Sequence, residues 1–267
     1  MKVLVTGHKG YIGTHVYRDL KDLGHEVVGI DLKEGKDIMH CLPNESFDYV
    51  FHLAAMPSVQ FSVEKPTYTM RQNVLITSKI LEWAKDYGVK RIIFSSSAAA
   101  VDCVSPYGLH KRMSEMECKL YSELYGLDTV CLRYFNVYSE DQPYGGSYST
   151  AISSWMQMAR QDTPMRIDGD GEQTRDFVHV SDVVNANIFC MQSSVKFGGE
   201  VMDVGSGRSV SINSIKDFLY KRGYRNWKYS PTRIGDARHS IADLRNISRI
   251  GWEPEVQIIE GLNKCFK

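Results

Sequence analysis

The chain has 267 residues, 43% of them hydrophobic, enough to bury a real core in one large or two modest domains. Its 32 lysines and arginines balance 32 aspartates and glutamates, so no overall field draws it to nucleic acid or anionic lipid, and any anion it binds must be captured locally. Six cysteines without a C-x-x-C pair or metal-ligand spacing with histidine, no apolar run of bilayer length and no signal-peptide pattern predict a cytoplasmic protein with free thiols, no metal site and no membrane partner.

Residues 2–6, KVLVT, predict a short buried strand. The turn Gly7-His8-Lys9-Gly10-Tyr11-Ile12-Gly13 follows, then a helix carrying Val16, Leu20 and Leu23 and ended by Gly24. Strand, glycine turn and helix together let backbone N–H groups approach a pyrophosphate at the positive end of the helix. Glu26–Ile30 reads as a second parallel strand, finishing in Asp31, eighteen residues past Gly13. That is close to the offset of a carboxylate that takes the adenosine ribose hydroxyls. An acid there repels a ribose 2′-phosphate, so NAD is favoured over NADP, although Lys33 and Lys36 pull the other way. Asp31 taken singly is equally a helix cap or a turn residue.

The next stretch is brief. Leu32 follows the carboxylate, and Asp37-Ile38 either flank the adenine or belong to a plain loop. Residues 47–55, FDYVFHLAA, form a buried-type strand whose last residues, Leu53, Ala54 and Ala55, suit close approach of backbone to a ligand. His52 has no acid or metal partner in the pattern and reads as structural. Residues 66–87 predict one long amphipathic helix bearing Asn73, and Arg91–Phe94 is the strand that delivers Ser95, Ser96 and Ser97. Strands alternating with helices predict a doubly wound parallel sheet, with ligands beyond the carboxyl ends of its strands.

Tyr107-x-x-x-Lys111 puts a phenol and an ammonium on one helical face. A nearby fixed positive charge favours the phenolate of a group whose ordinary pKa is about 10, which makes Tyr107 a candidate base at neutral pH. Alone, such a pair is more often a packed ring beside a solvated charge. Farther on, Asp168, Asp170, Glu172 and Asp176 lack the glycine and late glutamate of an EF-hand and predict a turn into a strand.

The segments TGHKGYIG (6–13), HLAA (52–55), FSSSA (94–98), PYGLHK (106–111), LRYFNVY (132–138), GDGEQTRDFVHVSDV (169–183), VGSGRSVSI (204–212), RIGDARHSIAD (233–243) and GWEP (251–254) cover nearly the whole chain. In this order they resemble the extended short-chain dehydrogenase/reductases, and among them the NAD-dependent nucleotide-sugar epimerases of the UDP-glucose 4-epimerase group. The resemblance implies an α/β Rossmann fold with a smaller C-terminal substrate-binding domain. NAD is then held at residues 1–148 with a chain return at about 174–203, and the nucleotide sugar by 149–173 and 204–267. It implies Tyr107 as base, Lys111 as its support and Ser97 as active hydroxyl, with Ser96 the alternative because AAAVDCV is shorter than the family's loop. By the same likeness Asn73, Tyr134 and Phe135 line the cofactor pocket with Ser95. Asn136, Arg175 and Arg233 hold the diphosphate, Asp236 the uridine ribose, and Ser240 borders the sugar's carbon 2; for Arg175 the other reading is a surface ion pair with Asp176. The implied reaction is epimerisation at carbon 4 of UDP-glucose, UDP-galactose or their N-acetylated forms, by a homodimer. A reductase or dehydratase on the same scaffold, or a non-catalytic NAD-binding protein, are the alternatives.

Overall fold

The computed structural model describes residues 1–145, 150–232 and 237–267. Its strands in chain order are β1 (Lys2–Thr6), β2 (Glu26–Ile30), β3 (Tyr49–His52), β4 (Arg91–Ser97), β5 (Asp128–Tyr134), β6 (Asn136–Tyr138), β7 (Met165–Asp168), β8 (Thr174–His179), β9 (Glu200–Val204), β10 (Ser209–Ser211) and β11 (Trp227–Ser230). The α-helices are α1 (Tyr11–Asp22), α2 (Ile38–Cys41), α3 (Val59–Glu64), α4 (Pro66–Met70), α5 (Ile76–Asp86), α6 (Ala99–Asp102), α7 (Pro106–Tyr125), α8 (Ala151–Arg160), α9 (Val180–Gln192), α10 (Ile212–Lys221), α11 (Arg245–Ser248) and α12 (Ile258–Cys265).

Six strands make one parallel sheet in the order β2-β1-β3-β4-β5-β9. Both faces are covered, which is why β1, β4 and β5 are buried almost without a break rather than at alternate residues. On one face Val3, Val5, Ile93, Val130 and Leu132 pack against Val16 and Leu20 of α1 and Val183 and Val184 of α9. On the other, Leu4, Val50, Ile92 and Phe94 meet Ile80 and Leu81 of α5 and Cys118 of α7. The molecule is a doubly wound α/β protein of the Rossmann type. A third cluster, built on Trp155, Met156, Ile167, Phe177, Ile215 and Leu219, joins α8 and α10 to two small sheets, β10-β8-β6 and β11-β7.

The helix predicted over 66–87 is interrupted. Between α4 and α5 lies a π-helical turn, Arg71–Leu75. It carries the buried Asn73, whose side chain accepts from Met56 N at 2.8 Å and donates to Met56 O at 3.3 Å. Apolar periodicity does not register one wide turn, because the same residues still face the sheet. The strand expected through Ala55 stops at His52; Leu53–Ala55 follow as irregular chain, with Leu53 N still donating to Thr6 O at 3.2 Å.

Candidate active site

The carboxyl ends of β1 to β5 open into one cavity of about 1080 Å³. Gly7, Gly10, Tyr11, Ile12, Gly13, Asp31, Leu32, Asp37 and Ile38 line one end. There the glycines are a steric requirement: Gly7 has φ +73 and a Cβ would fall 2.7 Å from Ala54 N, while a Cβ on Gly13 would lie 2.0 Å from Gly7 O. No side chain caps α1 at Gly10, so its first-turn N–H groups remain for a ligand. Asp31 is both a cap and a wall residue. Its Oδ1 accepts from Lys33 N at 2.8 Å and its Oδ2 from Lys9 N at 2.9 Å, so each oxygen keeps a second lone pair. Asp37 likewise caps α2 through Met39 N while lining the wall.

The middle of the cavity is walled by Leu53, Ala54, Ala55, the three serines, Tyr107, Lys111 and Tyr134. Pro106 and the Ser105 cap start α7 immediately before Tyr107, whose own N–H donates to the buried Ser62 Oγ at 3.0 Å. Tyr107 therefore occupies the first turn of a twenty-residue helix, where the positive end of the helix dipole favours an anion. One turn on, Lys111 is 2% exposed, donates to Ser95 O at 2.6 Å and stands 4.8 Å from the centre of the Phe94 ring. Loss of solvent lowers its pKa to about 8, with the Glu115 carboxylate pulling it back up.

The serines divide by strand alternation. Ser96 donates to Glu115 Oε1 at 2.6 Å, whereas Ser97 Oγ accepts from Ala99 N at 3.2 Å at the mouth of β4. Of Ser96 and Ser97, Ser97 is thus the one whose hydroxyl is not held by a carboxylate. Tyr134, also buried, donates to Asn187 Oδ1 at 2.9 Å, and burial pushes its phenol up.

The other end of the cavity is built by Asn136, Arg175, Gln173, Arg166 and Asp168 with Thr150, Ser154, Trp155 and Met158 of the α8 region. Asn136 Nδ2 donates to Asp176 O at 2.9 Å and Arg175 to Thr174 O at 2.8 Å. Asp176 is not the ion-pair partner of Arg175. It is fully buried and accepts from Ser206 N and Oγ, Gly207 N and Ala242 N, pinning the 205–207 turn.

The model of the NAD dependent epimerase/dehydratase family matches residues 3–205. The chain belongs to that family. It is 32% identical to the UDP-glucose 4-epimerase of Mycolicibacterium smegmatis over 310 aligned positions, covering 100% of this chain and 98% of the relative. The alignment is longer than the chain, so the relative carries residues that this one lacks. The crystal structure of UDP-glucose 4-epimerase with UDP-glucose from Thermotoga maritima superposes with a TM-score of 0.88 at 33% identity, over 99% of this chain and 97% of that one. The UDP-N-acetylglucosamine 4-epimerase of Methanobrevibacter ruminantium, in complex with UDP-N-acetylmuramic acid, gives 0.89 at 31% identity over 99% and 96%.

For a member of an NAD-dependent epimerase/dehydratase family the residues at the first end fit the dinucleotide: a cradle with no room for a Cβ, an uncapped helix start and a carboxylate at the end of β2. Two expected residues do not reach the wall. Asn73 engages the backbone of Met56, and so shapes the segment after Ala55 rather than lining the cavity itself. Ser240 gives its N–H to Thr174 O and accepts Ser209 Oγ at its carbonyl, outside the lining residues. Arg233 and Asp236 lie outside the described residues. Several wall residues escaped the sequence reading, among them Met56–Gln60, Ser154, Arg166 and Asp168. For the last two a signal existed: Met165 and Ile167 alternate with Arg166 and Asp168, the period-2 pattern of a strand with one apolar and one polar face.

Proposed function

We propose that the chain epimerises carbon 4 of a UDP-sugar through a transient 4-keto sugar, with UDP-glucose and UDP-galactose as the first pair and their N-acetylated forms as the second. The observation that carries this reading is the gathering of Ser97, Tyr107 and Lys111 on the middle wall of one cavity, between a glycine cradle with Asp31 and the Asn136–Arg175 end. The glycine turn and Asp31 hold NAD, and Leu53–Ala55 and Tyr134 flank it. When bound, the nicotinamide supplies reversible hydride chemistry at carbon 4, so the cofactor ends as it began. Tyr107 takes the proton of the 4-hydroxyl and gives it back, acting as general base and then acid. Its phenolate is favoured by the ammonium of Lys111 and the start of α7. Ser97 shares the proton on the substrate oxygen. Arg175, with Asn136, binds the diphosphate, since a chain of zero net charge needs placed guanidinium groups to hold a dianion.

In this reading residues 1–148 with 174–203 hold the cofactor, and 149–173 with 204–267 form the substrate part. A homodimer is supported by the exposed stripe Leu109, Met116, Leu120 and Leu124 along α7 beside Tyr68, Met70 and Leu75. Six free cysteines support a reducing, cytoplasmic setting. No helix among the described residues is long and apolar enough to cross a membrane.

The test is product analysis of purified protein given NAD and UDP-galactose. The expected result is UDP-glucose with no net NADH. Stoichiometric NADH, or no turnover until a reductant is added, would replace the epimerase reading by an oxidoreductase one.

A further inference from the structure

Behind the serine wall lies a buried charge cluster that the proposed reaction does not itself use. Glu115 is 2% exposed and accepts four bonds: Ser96 Oγ at 2.6 Å and Arg133 Nε at 2.7 Å on Oε1, Arg133 Nη2 at 2.7 Å and Arg112 Nη1 at 3.2 Å on Oε2. Ser96 and Arg133 are directly paired across β4 and β5, and Arg133 is paired with Asp203 across β5 and β9, its Nη1 4.0 Å from that carboxylate. One carboxylate therefore ties α7 to two central strands at one level of the sheet. Its neighbours along the chain are the reacting groups. Glu115 stands one turn beyond Lys111 on α7, and Ser96 stands between Ser95, whose carbonyl receives Lys111, and Ser97.

We propose that Glu115 is a positioning residue: acting through Ser96 on β4 and along α7 on Lys111, it sets where Ser97 and the ammonium stand relative to Tyr107. The proposal rests on the roles given above to Tyr107, Lys111 and Ser97. A buried carboxylate with four donors is a rigid anchor, because displacing Arg133 would leave a charge unpaired away from water. A misplacement of about 1 Å at a reacting centre costs on the order of a hundredfold in rate. The charge also matters. Lys111 follows Tyr107 by one turn of α7 and faces Glu115 and Cys118 on its own helix, Cys131 on β5, His52 on β3, and the Phe94 ring and Ser95 carbonyl on β4. Of the groups on that roll, Glu115 is the carboxylate. Without it the guanidinium of Arg133 loses its bidentate partner, and the ammonium loses an anion that favours its protonated form.

The experiment measures kcat, KM and the pH profile of kcat for Glu115→Gln and Ser96→Ala, with Tm and a tyrosinate absorbance titration against a Tyr107→Phe blank. In Glu115→Gln kcat should fall about 10- to 100-fold with KM for the UDP-sugar within about threefold, and both limbs of the profile and the tyrosinate signal should move to lower pH. Ser96→Ala, a neutral change, should lower kcat about 3- to 10-fold with the limbs in place. Asp128→Asn is the stability control, since it breaks the buried Arg91–Asp128 pair at the opposite end of β4 and β5 and should lower Tm without moving the profile. If Glu115→Gln behaves like that control, or both variants match the parent in kcat and profile, the positioning role is wrong. Should Glu115→Gln fail to fold, Ser96→Ala decides alone, and parent kcat there overturns the proposal. An active Tyr107→Phe would instead overturn the reading of the base, whatever the Glu115 variants do.

Discussion

At Tyr107 the removal of a single oxygen separates packing from chemistry. The ring is 8% exposed and held at the start of α7, so Tyr107→Phe should fold as the parent does. As the proposed acid and base it should lose about 10²- to 10⁴-fold in kcat, with UDP-sugar binding kept, measured by turnover and by calorimetric titration of the sugar nucleotide. Parent turnover would remove Tyr107 from the mechanism. His52 is the contrasting residue, buried for structure. Its ring bridges Thr6 Oγ1 at 2.8 Å and Thr77 Oγ1 at 3.1 Å, and burial lowers its pKa from 6.5 to about 3, helped by the nearby ammonium of Lys111. The folded protein thus holds this imidazole neutral where the unfolded chain protonates it. Its contribution is present above pH 6.5 and is lost as pH falls toward 3, by at most about 1.4 kcal/mol per pH unit. Melting curves of His52→Gln should decline less steeply than those of the parent across that window; parallel curves would contradict the assignment.

Among the elements, the β1–turn–α1 unit is the most constrained. Gly13 is helical, yet its Cα faces the Gly7 carbonyl so closely that a methyl group would sit 2.0 Å from that oxygen. Gly13→Ala should push α1 away from the turn. The expected outcome is NAD affinity reduced at least about tenfold with Tm lowered by a few degrees, read by fluorescence titration and thermal melting. Unaltered NAD affinity would mean that the cradle is not where the dinucleotide binds. The same kind of contact recurs at Gly108, where a Cβ would meet Ala99 O at 2.2 Å, so the short α6 can lie against the start of α7 just after Tyr107. The π-helical turn at Arg71–Leu75 serves the site at one remove, since Asn73 fixes Met56 and with it the wall beyond Ala55.

For the whole molecule, the buried Arg91 joins the sheet to the return of the chain. It pairs with Asp128 at 2.7 Å and donates to the carbonyls of Cys190, Ser193 and Val195, so β4, β5 and the end of α9 share one guanidinium. Outward from this body, Leu109, Met116, Leu120 and Leu124 form an apolar stripe along α7, the helix that also carries Tyr107 and Lys111. If two copies meet there, Leu120→Asp should convert a dimer to a monomer in sedimentation velocity. A parent that already sediments as a monomer would end the dimer proposal.

The sequence by itself determined the doubly wound fold and the end of the cavity nearest α1, because both depend on local patterns: an apolar run, a glycine turn, a helix period and a carboxylate at a strand end. It also put Tyr107 and Lys111 on one face, since four residues span one helical turn. Tertiary structure decided what depends on partners distant in the chain. Ser96 and Ser97 differ only because Glu115 stands on one side of β4, nineteen residues away. Asn73 turns to Met56 because the helix widens there, and Arg166 and Asp168 reach the cavity because β7 lies beside β11, whose residues follow some sixty positions later. Spacing along a chain reports on neighbours within a turn or a pleat; which wall a side chain faces is fixed by the sheet register and by the helix packed above it.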